Sequence, residues 1–352
     1  DGLSRVGVLE GDSLRQIHVP FEHFGHSLST CGDQVFTTAG GGSKPMAVVR
    51  LDVDTEAIKV VKESLQIDID PALVSLPEAI VFDTADDAVA HAFYYPPRNP
   101  GFMAPEGEKP PLIVFSHGGP TSATSPELDL SYQFWTSRGF ALVDVNYRGS
   151  TGYGREYRNA LRGNWGVVDL DDCINAALFL AEGGHVDGDR MAIRGGSAGG
   201  YTTLCALAFS DVFAAGASYF GVGDVAALVA ETHKFESRYI DSMIGPYPEA
   251  ADLYEQRSPL HNVDGFDTPV VLLQGADDRV VPPAQAEEIV AALDAKGIPH
   301  AYVAFEGEGH GFRKAENIER SREVELYFYS RVFRFDPADD LDPVEIIHES
   351  AL

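Results

Sequence analysis

Apolar residues along this chain fall into two rhythms. Up to about Val61 they come in short, turn-punctuated runs: residues 34–38, a Gly-Gly-Gly-Ser-Lys-Pro loop from Gly40, then residues 46–53. Short strands so closely spaced predict part of a β-sandwich or propeller, and this stretch alone is too short to close a propeller of four-stranded blades. After Pro71 and Pro77 the rhythm lengthens. Apolar runs at Leu112–Phe115, Ala141–Val145, Met191–Ile193, Ala215–Tyr219, Val270–Leu273 and Ala301–Phe305 read as buried parallel strands. Helical patterns such as Val168–Ala181 and Ala284–Ala295 lie between them, the second closed by Gly297. The alternation predicts an α/β fold: a doubly wound, mostly parallel sheet with right-handed crossovers, preceded by a short β-rich segment. A last long helix, Ala315–Val332, would cover that sheet, and the acidic, proline-bearing tail beyond Phe335 is expected to be loosely held. The expected divisions are 1–75, 76–335 and 336–352.

Composition narrows the picture. At 352 residues and 44% hydrophobic content the chain can bury a full core. Acidic residues outnumber basic ones 54 to 26, giving a formal charge of -28. That field repels phosphate backbones and anionic lipid, so neither nucleic acid nor membrane is an expected partner; it favours cationic or amine-bearing ligands. No apolar stretch reaches the 18 residues of a membrane span. Cys31, Cys173 and Cys205 are widely spaced and odd in number, suggesting neither a disulfide framework nor a zinc site. The chain starts at Asp1 with neither initiator Met nor signal-like segment. A processed or internal start is therefore expected, and the cytoplasm is the working compartment.

The chemistry concentrates in three places. Gly195-Gly-Ser197-Ala-Gly199 is a G-x-S-x-G sequence between the strand at Met191 and a helical run from Tyr201. A sharp strand-to-helix turn needs small residues on both sides of an exposed serine, and the helix N-terminus behind it favours developing negative charge. A serine hydroxyl needs a base, which this arrangement supplies downstream in the order Ser, acid, His. Asp278, in Ala276-Asp-Asp-Arg-Val-Val-Pro after the strand at Val270, fits the acid best; Asp277 beside it and Asp224 after another strand are its competitors. His310, in Glu306-Gly-Glu-Gly-His-Gly-Phe, fits the base, while the other histidines read as structural or surface groups. Tetrahedral intermediates need aimed donors, and His117-Gly-Gly-Pro after the strand at Leu112 offers the Gly119 N–H to complement that of Ala198. The glycine-rich run from Asn146 to Arg155 lacks G-K-S/T and reads as a loop shaping the site. Asp169, Asp171 and Asp172 read as a solvated face. This chemistry requires neither metal nor cofactor.

Taken jointly, Tyr94-Tyr-Pro-Pro-Arg-Asn-Pro, His117-Gly-Gly-Pro, Asn146-Tyr-Arg-Gly-Ser-Thr-Gly-Tyr-Gly, Gly195-Gly-Ser-Ala-Gly-Gly, Asp277-Asp-Arg-Val-Val-Pro and Gly307-Glu-Gly-His-Gly-Phe resemble the catalytic domain of prolyl oligopeptidase family serine peptidases, in the acylaminoacyl peptidase and dipeptidyl aminopeptidase branch. The resemblance spans about Pro77 to Phe333. It implies an α/β-hydrolase fold, cleavage of short peptides near their N-terminus, and a β-propeller before the catalytic domain. Residues 1 to about 70 look like its last blade and return linker. The rest of a propeller is not in this sequence, which leaves association with a missing propeller portion, or a homo-oligomer, as expected assemblies. His117 stands where prolyl oligopeptidases proper place a tyrosine donor, which argues against strict proline specificity. His117 and Tyr147 are candidate substrate contacts. The segment from Glu231 to Tyr239 resembles a loop on the substrate side, where Glu236 would pair with a substrate amine and Arg238 with a carbonyl or carboxylate. The rival readings are a broad carboxylesterase using the same machinery and a catalytically silent binding scaffold on this fold.

Overall fold

A computed structural model describes residues 2–231 and 238–352. The chain forms two compact units: one gathers the residues up to 80 with 93–110 and 124–142, the other 81–92, 111–123 and 143 onward.

The first unit begins with an antiparallel hairpin, β1 (Val6–Glu10) and β2 (Ser13–Ile17). It continues as an antiparallel meander of β3 (His23–Cys31), β4 (Gln34–Gly41), β5 (Lys44–Asp52) and β6 (Ile58–Glu63), in spatial order β3-β4-β5-β6. The glycine-rich stretch expected as a loop is mostly strand: Gly41 pairs with Lys44, leaving only Gly42 and Ser43 to turn the chain. Alternation places Ala47, Val49 and Leu51 of β5 inward, where Ala47 and Val49 join Phe21 and Ala39 in a small core.

After β7 (Glu78–Asp83) and β8 (Val89–Tyr95) come β9 (Leu112–Ser116), β10 (Ala141–Asn146), β11 (Met191–Gly196), β12 (Ala215–Tyr219), β13 (Val270–Gly275) and β14 (His300–Phe305). They build one eight-stranded sheet in the order β14-β13-β12-β11-β9-β10-β8-β7. The pairs β9–β11, β11–β12, β12–β13 and β13–β14 are parallel. Every residue of β10, β12 and β13 is buried, as strands covered on both faces require. From β9 the chain moves outward to β10, returns to β11 on β9's other side, and continues to β14. The strand order therefore reverses between β9 and β11, and ligands of such sheets bind outside the strand ends at that crevice.

The helices Val168–Glu182, Pro283–Lys296 and Ala315–Phe333 match the expected ones, and Gly297 ends the second in the left-handed conformation, φ 73°. Two expectations fail. Asp169 and Asp172 are fully buried, because on a helix they share a face with Cys173, Ala176 and Leu180, which is turned to the interior. Asp172 meets the Arg148 guanidinium at 3.0 Å and accepts from Thr84 Oγ1 at 2.7 Å; Asp169 accepts from Thr202 Oγ1 at 2.6 Å and Gly166 N at 2.7 Å. The C-terminal tail is also held. Ile347 exchanges two backbone hydrogen bonds with His300 of β14, at 3.1 and 2.8 Å, Ile346 is buried, and Arg331 pairs with Glu349. An edge strand with open N–H and C=O groups recruits such a segment despite its acidity.

Candidate active site

Ser197 sits between β11 and the helix Ala198–Phe209 at φ 58° and ψ -120°, left-handed backbone that costs a non-glycine residue free energy. Close approach keeps the turn in place. A Cβ on Gly199 would stand 2.0 Å from the Ser116 carbonyl oxygen, and one on Gly195 would stand 2.4 Å from Gly199. The Ser197 N–H is anchored on the Tyr219 carbonyl at 2.9 Å. The result is a hydroxyl carried at the carboxyl end of β11, beside the crevice.

His310 and Asp278 converge there from neighbouring strand ends. His310 Nε2 lies 2.8 Å from Ser197 Oγ, and its Nδ1 lies 2.8 Å from Asp278 Oδ2. A carboxylate can only accept, so Nδ1 carries the proton and Nε2 is left to accept from the serine hydroxyl. Asp278 is buried; its Oδ1 takes the N–H groups of Val280 at 2.8 Å and Val281 at 3.0 Å, leaving Oδ2 for His310. Its competitors lie elsewhere. Asp277 is exposed, and Asp224 caps the helix Val225–Glu231 through the N–H of Ala226 at 2.7 Å. The Phe220 ring meets the His310 imidazole edge-on, 4.9 Å between centroids.

The His117–Pro120 turn follows β9 and lies against the elbow: a Cβ on Gly118 would be 3.1 Å from the Gly196 oxygen and 3.6 Å from Ser197 Cβ. Gly119 holds φ 124°, which glycine alone adopts readily. The Tyr147 ring stacks on His117 at 4.1 Å, and its buried hydroxyl donates to the carbonyls of His117 at 2.9 Å and Pro120 at 3.1 Å. His117 Nε2 meets Ser150 Oγ and Nδ1 meets the Gly118 oxygen, each at 2.8 Å. Burial pushes the His117 imidazole down to about 4, against the opposing Gly118 bond, so the ring is neutral at neutral pH. Arg238 is exposed and pairs with Asp241 at 2.8 Å, while Glu236 lies outside the described residues. Among the described residues no group of three or more His, Cys, Asp or Glu side chains is disposed to hold a metal.

Two neighbours had no signal in the pattern. Gln274 Nε2 lies 3.4 Å from Asp278 Oδ2, and it reads in sequence only as the polar end of an apolar strand. The Tyr239 hydroxyl meets Thr121 Oγ1 at 2.8 Å and the Gly119 oxygen at 3.3 Å. It lies in the segment singled out for Glu236 and Arg238, but nothing in the sequence aims it at the turn.

A serine, a histidine and a buried aspartate joined by hydrogen bonds on a strand-to-helix elbow, at the switch point of a doubly wound sheet, are the architecture of an α/β-hydrolase fold. The chain belongs to the prolyl oligopeptidase family, whose family model matches residues 126–336. It is 37% identical over 213 residues to the dipeptidyl aminopeptidase BIII of Pseudoxanthomonas mexicana, covering 59% of this chain and 31% of that one. Among solved structures it resembles a puromycin-hydrolyzing peptidase of Mycobacterium tuberculosis, with TM-score 0.94, 47% identity, and coverage of 97% of this chain and 52% of that one. A puromycin hydrolase gives TM-score 0.95 at 40% identity, covering 98% and 52%. The chain thus spans about a third to a half of the length of the relatives it matches. No helix among the described residues is long and apolar enough to cross a membrane.

Proposed function

We propose that this protein hydrolyses the amide bond next to the N-terminal residues of short peptides through an acyl-enzyme. The observation that carries the reading is the continuous pair of 2.8 Å hydrogen bonds linking Ser197, His310 and Asp278. In this mechanism His310 Nε2 takes the Ser197 proton as Oγ attacks the scissile carbonyl. Asp278 holds the imidazole tautomer and stabilises the imidazolium. The N–H groups of Gly119 and Ala198 receive the oxyanion, and the imidazolium returns its proton to the leaving amine. Water then repeats the sequence on the acyl-enzyme. The names of the relatives, a dipeptidyl aminopeptidase and puromycin-hydrolysing enzymes, support substrates with a free amine within a residue or two of the scissile amide, and the charge of -28 favours such cations.

Assembly belongs to the same proposal. The β3–β6 meander supports reading residues 1–75 as the last blade of a β-propeller, with the catalytic part at 76–335 and the tail at 336–352. A homo-oligomer is the alternative assembly. The three free cysteines support a reducing compartment such as the cytoplasm.

The test is turnover of aminoacyl and dipeptidyl p-nitroanilides, and of puromycin, against p-nitrophenyl butyrate, with Ser197→Ala as blank. Amide cleavage that needs a free amine and disappears in the variant is the expected result. Ester cleavage alone would replace the peptidase reading with a carboxylesterase, and failure of a fluorophosphonate to label Ser197 would leave only a binding scaffold.

A further inference from the structure

His310 stands on a loop between the end of β14 at Phe305 and the helix beginning at Ala315. Its immediate neighbours supply little rigidity of their own, being glycines at 309 and 311, the latter at φ 90°. The loop is instead closed by Glu308, a residue only 2% exposed. Glu308 Oε2 accepts the Arg313 N–H at 2.9 Å, and Oε1 accepts the Lys314 N–H and the Asn317 amide, each at 2.9 Å. These bonds close a ring of chain with His310 inside it. The backbone of the same residue reaches the other loop of the site: the Glu308 carbonyl accepts the N–H of Asp277, next to Asp278, at 2.8 Å. Gly275, at the end of β13, admits this contact, since a Cβ there would stand 2.3 Å from the Gly309 oxygen.

We propose that Glu308 is a positioning residue that fixes the His310 loop against the Asp278 loop, and so sets the His310–Ser197 and His310–Asp278 distances. This rests on the triad reading above. The Asn317 bond, then the backbone donors of Lys314 and Arg313, hold the Glu308 carboxyl below its ordinary range against its burial, so all three bonds persist at neutral pH. A group that only capped the helix from Ala315 would affect folding. A group that sets the imidazole's place affects the proton transfer itself, where a displacement of about 1 Å costs on the order of 10²-fold in rate.

The experiment compares Glu308→Ala, Glu308→Gln and Asn317→Ala with the parent chain, each normalised by fluorophosphonate titration of Ser197. Readouts are kcat and KM on the best ester or anilide and the low-field proton resonance of the His310 Nδ1–H bonded to Asp278. For Glu308→Ala the expected result is a kcat per titrated site lowered by about 30- to 100-fold, KM within about threefold, and a broadened or lost resonance. Glu308→Gln keeps an acceptor for Lys314 but turns an amide toward the Arg313 N–H, so an intermediate loss is expected; Asn317→Ala, losing one bond, should lose least. Parent-like kcat per site with an unchanged resonance would overturn the assignment. Should Glu308→Ala not fold, the other two variants decide it by the same readouts. If the parent itself shows no Ser197-dependent turnover, the triad reading fails, and the resonance still reports whether Glu308 positions the imidazole.

Discussion

At Ser197 a strained backbone, an imidazole and a buried carboxylate meet, and each is separately adjustable. Asp278→Asn keeps the shape but places an amide where only an acceptor fits, favouring the wrong tautomer of His310. A loss of on the order of 10³- to 10⁴-fold in kcat is expected, with KM little changed, measured on a p-nitroanilide. His117 gives a second prediction through pH. Its folded value of about 4 lies below the ordinary 6.5, so the unfolded chain binds a proton that the folded chain refuses. The stability this group contributes is complete above pH 6.5 and is lost as pH falls toward 4, amounting to at most about 3 kcal/mol. His117→Gln should flatten the melting temperature against pH across that window. At this scale the sequence was legible where chemistry demands a residue type, as at Ser197 and His310. It ranked Asp278 first but kept Asp277 as a competitor, because adjacent aspartates on one loop differ only in which side of the turn each faces.

Elements carry the site by close contact. The helix behind Ser197 approaches β9 so nearly that Gly199 has no room for a methyl group beside the Ser116 carbonyl. Gly199→Ala must move backbone, and a destabilisation of about 1–3 kcal/mol is expected, with slower fluorophosphonate labelling of Ser197. Beneath the elbow, Arg194 of β11 meets Glu325 of the helix Ala315–Phe333 at 3.0 Å, and Tyr219 donates to the same carboxylate at 2.5 Å. Arg194 is sandwiched between the Phe115 and Tyr219 rings, each at 4.6 Å. Glu325→Ala removes the carboxylate that the buried Arg194 guanidinium and the Tyr219 hydroxyl share, and should cost about 3–5 kcal/mol in denaturant unfolding, well beyond the effect of any exposed pair on that helix. The long helices were readable from their period. Their buried charges were not, since an aspartate at 169 or 172 looks solvated until the helix face it occupies is packed.

For the molecule as a whole, the charge of -28 acts beyond any one contact. Substrates with a free amine should lose kcat/KM by about threefold or more as salt is raised from low ionic strength past 0.1 M, where screening falls to about 10 Å, while N-acylated analogues of the same peptides should change little. A flat response for both would remove the field from the account of amine preference. By itself the sequence determined the alternation of strands and helices, the strand-to-helix turn at Ser197 and the glycine turn from His117 to Pro120, because periodicity and glycine conformational freedom are local constraints. Only the tertiary structure decided that Asp277 faces away from His310, that Asp169 and Asp172 are buried, that the acidic tail pairs with β14, and that Glu308 closes the His310 loop. Those outcomes depend on contacts between residues far apart in the chain, and no local pattern encodes which distant partner a polar group will find.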